Sequence, residues 1–173
     1  MSRIVLCSDL HLGHRNIHKF RQFAKVTFAE ESEHRAWLMG ELKATLQERD
    51  RVIVTGDVAF TRETLEEFKQ LPGQKILVRG NHDNFSTREY LDVFSEVYGL
   101  WCWKSFWLSH APVHPSELRG RVNLHGHVHM DTISDSRYFN LCPENLMPIF
   151  GRPWCTLDEV RYLRPRTKEL EVK

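Results

Sequence analysis

The stretch Lys75-Ile76-Leu77-Val78-Arg79-Gly80-Asn81-His82-Asp83 decides how the chain is read. Its front half is a short, nearly continuous apolar run, the pattern of a strand buried on both faces. Its back half is a glycine followed by three side chains able to ligate a metal or move a proton. Glycine lets the backbone turn sharply at the end of the strand, so these polar groups are delivered together just beyond it.

Toward the N-terminus the same construction recurs. Arg51 to Val54 is apolar and stops at Gly56-Asp57, and Arg3 to Cys7 stops at Ser8-Asp9-Leu10-His11. Helical signals fill the intervals. Thr27 and Glu30 read as a capping box ahead of Leu38, Leu42 and Leu46, which recur every four residues. Thr61 to Leu71 reads as a second helix ended by Pro72-Gly73, and Ser86 with Glu89 caps a third. Alternating strands and helices imply a layered α/β fold, and in such folds ligands bind in the crevice beyond the carboxyl ends of the strands. Toward the C-terminus the chain becomes richer in strands. Trp101 to Leu108 alternates as one strand and ends at Ser109-His110, and Arg121 to Leu124 ends at His125-Gly126-His127-Val128-His129. Arg137 to Leu141 is a further strand, Thr156 and Glu159 cap a brief last helix, and Pro165 precedes a charged tail.

The bulk properties set limits on this reading. With 173 residues the chain suits one domain, 1–173, with its own core, and it has neither internal repeats nor low-complexity segments. Hydrophobic residues at 41% and charged residues at 27% describe an ordinary globular composition. No signal-peptide pattern or membrane-length apolar run is present, so the expected compartment is the cytoplasm. A net charge of +1 creates no global field toward nucleic acid or an acidic membrane surface. The four cysteines, Cys7, Cys102, Cys142 and Cys155, show no C-x-x-C spacing, so a zinc ribbon or redox motif is disfavoured and reduced, mostly buried thiols are expected. The anomaly is histidine: there are ten, many clustered with Asp and Asn at the ends of apolar runs.

Taken in order, Asp9-x-His11, Gly56-Asp57, Gly80-Asn81-His82-Asp83, His110 and Gly126-His127-Val128-His129 resemble the calcineurin-like metallophosphoesterase family, across residues 4 to about 141. The resemblance implies a four-layer α/β/β/α sandwich, two mixed β-sheets flanked by helices. It also implies two divalent metal ions, Mn²⁺ first, with Fe²⁺, Zn²⁺, Ni²⁺ or Co²⁺ as alternatives. Asp9, His11 and His129 would ligate the first metal, Asn81, His110 and His127 the second, and the Asp57 carboxylate would bridge them. His82 would stand beside the substrate as general acid, with Asp83 orienting it. His14 and Arg137 are candidate substrate contacts, with an ordinary salt bridge as the alternative. The chemistry suits these residue types: two cations roughly 3.5–4 Å apart can hold a hydroxide between them and clamp a phosphoryl oxygen during in-line attack. A carboxylate can give one oxygen to each metal, and neutral imidazole and amide ligands leave the site electropositive enough to hold a phosphate. A cysteine-free set of His, Asp and Asn suits Mn²⁺, Fe²⁺ or Zn²⁺ better than Ca²⁺ or Mg²⁺. The expected substrate is a phosphate ester, with a phosphodiester or nucleotide-like molecule favoured over a monoester or a phosphoprotein.

One departure narrows the branch. Many members carry an acidic or amide residue three places after the Gly-Asp aspartate, where this chain has Phe60 in Asp57-Val58-Ala59-Phe60. The nuclease and cyclic-nucleotide branches therefore fit poorly, and 173 residues leave no room for their extra segments. The runs Asp9-Leu10-His11-Leu12-Gly13-His14-Arg15-Asn16 and Arg137-Tyr138-Phe139-Asn140 look like a compact bacterial or phage-type branch. Two rivals fit less well. His127-Val128-His129-Met130-Asp131 matches the H-x-H-x-D of metallo-β-lactamases, but Thr132 stands where a further His is needed and no His follows His129. A non-catalytic binding module of the same fold would be expected to have lost ligands, and here the set is complete. His18, His34 and His114 read as surface residues. Trp101, Trp103, Phe106 and Trp107 read as core rather than as a base-stacking platform.

Overall fold

The structure is a computed structural model describing residues 2–23 and 26–163. Pro165 and the charged tail lie outside the described residues. In chain order the elements are β1 (Ile4–Cys7), α1 (Ile17–Phe20), α2 (Glu31–Thr45), β2 (Arg51–Val54), α3 (Arg62–Lys69), β3 (Gln74–Val78), α4 (Thr87–Leu91) and β4 (Glu96–Tyr98). The chain continues through β5 (Trp101–Trp103), β6 (Phe106–Leu108), β7 (Val122–His125), β8 (Tyr138–Asn140), α5 (Pro143–Phe150), β9 (Cys155–Thr156) and α6 (Leu157–Leu163).

Two mixed sheets result. The first runs β4-β3-β2-β1-β9, parallel except for β9, with Ile4 opposite Arg51 and Arg51 opposite Gln74. The second runs β5-β6-β7-β8, parallel except for β5. The continuous apolar runs of β1, β2 and β3 have a physical reason: alternate residues feed two different cores. Val5, Cys7, Val52, Val54 and Leu77 join Leu38, Leu42 and Leu46 beside α2 and Leu65 and Phe68 of α3. Leu6, Ile53, Ile76 and Val78 face Phe106, Leu108, Val122 and Leu124 of the second sheet, joined by Leu146 of α5 and Leu157 and Val160 of α6. Strands buried on both faces carry no polar alternation. Beyond β6 and β7, the loop with a 3-10 turn at Pro115–Glu117 packs on the second sheet: Trp107 Nε1 donates to Glu117 O at 3.1 Å and Asn123 Oδ1 accepts from Val113 N at 2.8 Å.

Several local readings hold and others do not. The capping box at Ser86 is present, and Glu159 N donates to Thr156 Oγ1 at 3.3 Å; the helix read from Thr61 also opens on a capping box, between Thr61 and Thr64. Thr27 does not cap α2; that helix starts later, at Glu31, and the Ala29 N–H is taken by Glu33 Oε2 at 2.7 Å. Trp101 to Leu108 is a hairpin rather than one strand, turning at Lys104-Ser105 with Trp103 paired to Phe106 and Lys104 at φ 54°. Phe106 is buried, and Trp101 and Trp103 stack on each other with centroids 5.2 Å apart against the inter-sheet core, so the aromatics belong to packing. All four cysteines are free, and Cys7, Cys142 and Cys155 are buried while Cys102 is exposed. No helix among the described residues is long and apolar enough to cross a membrane.

Candidate metal centre

The candidate ligands come from the loops that follow β1, β2, β3, β6 and β7, all at one edge of the sheets. The backbone there is strained in a concentrated way. Asp9, His11, Asp57, His127 and His129 have φ of 52°, 51°, 55°, 72° and 48°, the left-handed region that non-glycine residues rarely enter. Such strain costs of order 1–3 kcal/mol per residue and persists only where the surroundings impose it. Here they do. The loops after β1 and β2 run side by side, with Asp9 N donating to Gly56 O at 2.9 Å, His11 N to Asp57 O at 2.9 Å and Leu12 N to Val58 O at 3.0 Å. Two glycines let other strands close on them. A Cβ at Gly80 would sit 2.2 Å from Asp57 Oδ1, and one at Gly126 would sit 2.1 Å from Asp9 Oδ2.

Two groups of donor atoms form. In the first, Asp9 Oδ1 lies 3.5 Å from His11 Nε2 and 3.8 Å from His129 Nε2. In the second, His110 Nε2 lies 2.9 Å from Asn81 Oδ1, 3.1 Å from His127 Nδ1 and 3.4 Å from Asp57 Oδ2. Asp57 Oδ2 also lies 3.7 Å from His11 Nε2, so one carboxylate oxygen faces both groups. The sets Asp9-His11-His129 and Asp9-Asp57-His110 each offer donors within 4.8 Å of one another.

The bonding of these groups fits a cation. Asp9 Oδ2 accepts from Ser8 Oγ at 2.5 Å and His127 N at 2.9 Å, while Asp9 Oδ1 and both ring nitrogens of His11 are buried with no hydrogen-bond partner. Buried polar atoms are nearly always satisfied, so three orphans at one point mark a place built for something else. Thr55 O lies 2.8 Å from His110 Nδ1, so that nitrogen donates and Nε2 turns its lone pair toward Asn81 and Asp57. Lone pairs from several acceptors meet there unless a proton or a metal ion sits among them. Burial disfavours charge on Asp9 and Asp57. For Asp9 the neighbouring His11, His110 and Ser8 outweigh it, and for Asp57 His110 does, so both carboxyls titrate below their usual range. The same pairing outweighs burial for His110 and lifts it to about 8.

Behind the first group is a buried network that the sequence reading did not find. Arg21 is fully buried; its Nε donates to Glu144 Oε1 at 2.9 Å and its Nη2 to Asp9 O at 2.8 Å. Glu144 Oε1 in turn takes His129 Nδ1 at 3.2 Å, which leaves His129 Nε2 aimed at Asp9 Oδ1. Burial opposes ionisation of Glu144, but Arg21 and then His129 hold its carboxyl down to about 2. The Asn140 and Asn145 amides both donate to His129 O, fixing the same residue from its carbonyl side. His34 belongs to this network and not to the surface: it is buried, with Nε2 3.3 Å from Arg21 Nη1, and burial followed by Arg21 pushes it down to about 3. His129, Cys142 and Glu144 also lie within ligand distance of one another, but Glu144 is already matched by Arg21.

The remaining candidates divide. His82 is exposed beside the candidate metal ligands, its ring 5.8 Å from His11 and 5.2 Å from Phe60. Asp83 does not orient that ring. Its buried carboxylate accepts backbone N–H groups from Gly80 at 2.7 Å, Asp57 at 2.9 Å and Val58 at 3.0 Å, stapling two ligand loops together. His14 lines the same cleft, of about 710 Å³, with His11, His82, His127 and His129, and packs 4.7 Å from Phe60. Arg137 is not brought there: it is exposed, bonded to Asp135 at 2.6 Å, and absent from the cleft lining. His114 is exposed and His18 half-buried.

Comparison with known proteins places the chain in a family and matches its fold. The sequence model of a family described as calcineurin-like phosphoesterase matches residues 2–159. An uncharacterized protein of Methanocaldococcus jannaschii is 25% identical over 148 residues, covering 81% of this chain and 77% of its own. The crystal structure of a protein of unknown function from Aquifex aeolicus superposes with a TM-score of 0.68 at 24% identity, covering 94% of this chain and all of that one.

Proposed function

Because the chain belongs to the calcineurin-like phosphoesterase family, we propose that it hydrolyses phosphate esters at a dinuclear metal centre, with a phosphodiester or nucleotide-like molecule as substrate. One observation carries the reading: Asp57 Oδ2 faces both donor groups while Asp9 Oδ1 and the His11 nitrogens are buried without partners. Asp9, His11 and His129 would hold one cation, Asn81, His110 and His127 the other, and Asp57 would serve both. Mn²⁺ suits this nitrogen and oxygen set best, with Fe²⁺, Zn²⁺, Ni²⁺ or Co²⁺ as alternatives. Bound there, the cations supply Lewis-acid polarisation of the phosphoryl group and a water activated near neutral pH.

The protein's own residues do the rest. Asp83 keeps the Asp57 and Gly80 loops in register, so the ligands meet the phosphate without further reorganisation. His82, exposed beside the cleft, donates a proton to the departing ester oxygen. Phe60 packs against both rings, with centroids 5.5 Å from His11 and 5.2 Å from His82, and so holds the imidazoles on the cleft wall. His14 stands in the cleft wall as a further contact for phosphate oxygens. A screen of the Mn²⁺-loaded protein against mono-, di- and cyclic phosphates tests the reading. Turnover of diesters above monoesters is expected; preference for monoesters would make it a phosphomonoesterase, and no turnover of any ester would leave a binding module.

A further inference from the structure

The cleft above the metal ligands does not end at its histidines. A second cavity of about 700 Å³ opens beside it, lined by Phe20, Phe23, Met130, Met147 and Pro148. The two share Phe20, Met130 and Glu144, so they are compartments of one groove. Phe20 is 73% exposed and Met130 75% exposed at the shared rim. Single exposed hydrophobes are ordinary, but a contiguous set bordering a site marks a binding surface. The volume lies within the range of small-molecule sites, roughly 300–1,000 Å³.

Resting on the phosphoesterase reading, we propose that this second compartment takes the non-phosphate body of the substrate, and that this body is a flat aromatic group. The phosphate would sit at the histidines and the ring beyond the Phe20–Met130 rim. Two phenylalanine rings offer stacked or edge contacts, and two methionine thioethers adapt to an aromatic face or edge. An aryl or nucleobase-bearing phosphate ester satisfies both compartments at once, whereas a small alkyl ester fills only the first.

The test reads binding rather than turnover, because the carbon–phosphorus bond of a phosphonate is not an ester. Calorimetry of the Mn²⁺-loaded full chain compares methylphosphonate, octylphosphonate and naphthylmethylphosphonate. The naphthyl compound should bind about tenfold or more tighter than methylphosphonate, the scale at which apolar pockets discriminate. Phe20→Ala and Met147→Ala should each bring that ratio toward one. Equal binding of the naphthyl and methyl compounds would overturn the groove alone, and binding of neither would overturn the metal–phosphate reading with it. Octylphosphonate binding as tightly as the naphthyl compound would overturn the aromatic assignment. A dimer in sedimentation that Met147→Glu converts to monomer, with the ratio unaltered, would assign the face to a second copy instead.

Discussion

His82 and Asp83 are neighbours in sequence with different tasks. Asp83 is buried, and its carboxylate accepts three backbone N–H groups and, at 3.4 Å, the Tyr90 hydroxyl, so its work is to hold loops. His82 is exposed beside the candidate metal ligands and, as the proposed general acid, matters only when the leaving group needs a proton. His82→Ala should therefore keep both metals. It should lose about 10²–10⁴-fold on a diester with an alkyl leaving group and far less on a nitrophenyl ester, whose anion departs unaided. Both substrates meet the same metals, so their ratio cancels general damage; an equal loss on both, or loss of metal, would overturn the role. The sequence made the ligands legible because Asp-x-His, Gly-Asp and Gly-Asn-His-Asp each interrupt an apolar run. It hid Asp83's main-chain partners at residues 57, 58 and 80, which carry no side-chain signature. It hid His34 less completely: one four-residue step before Leu38, it extends the buried stripe Leu38, Leu42 and Leu46.

At the scale of elements, the site depends on how α1, α5 and the β1 loop are tied together. Arg21, just past α1, binds the main chain of the β1 loop at Asp9 and the α5 residue Glu144, which fixes His129. Removing a buried charged partner leaves the other uncompensated and typically costs about 3–5 kcal/mol. Arg21→Met should lower unfolding free energy by about that amount in urea denaturation, and should weaken metal retention at the Asp9-His11-His129 group first. A change below about 1 kcal/mol with metal content intact would show that the network is dispensable. Nothing in the sequence announces this tie, because Arg21 and Glu144 lie far apart and each reads as an ordinary surface charge. The strands buried on both faces were readable from continuous apolar runs. β9 was not, being two residues long, and α5 was not, because Pro148 inside it reads as a break. The β5–β6 hairpin was missed because its turn uses Lys104 at positive φ rather than glycine or asparagine.

Over the whole molecule, the two sheets pack on the core between them and send the loops from both toward the same edge, so the candidate ligands from residues 9 to 129 meet although no two motifs are adjacent in sequence. Strained backbone and paired carboxylates are concentrated at that point, together with the partnerless Asp9 Oδ1 and His11 nitrogens, an arrangement that the proposed cations would complete. Asp9 and Asp57 disfavour each other's charge as long as nothing lies between them, and metal binding would convert that repulsion into attraction. The most direct measurement is a titration. After chelation and buffer exchange, turnover of a phosphodiester is followed against added Mn²⁺. A dinuclear centre bridged by Asp57 gives negligible turnover at the start, a rise that saturates at two equivalents per chain, and a flat response for Asp57→Ala. Full turnover in excess chelator, or saturation at a single equivalent, would contradict it.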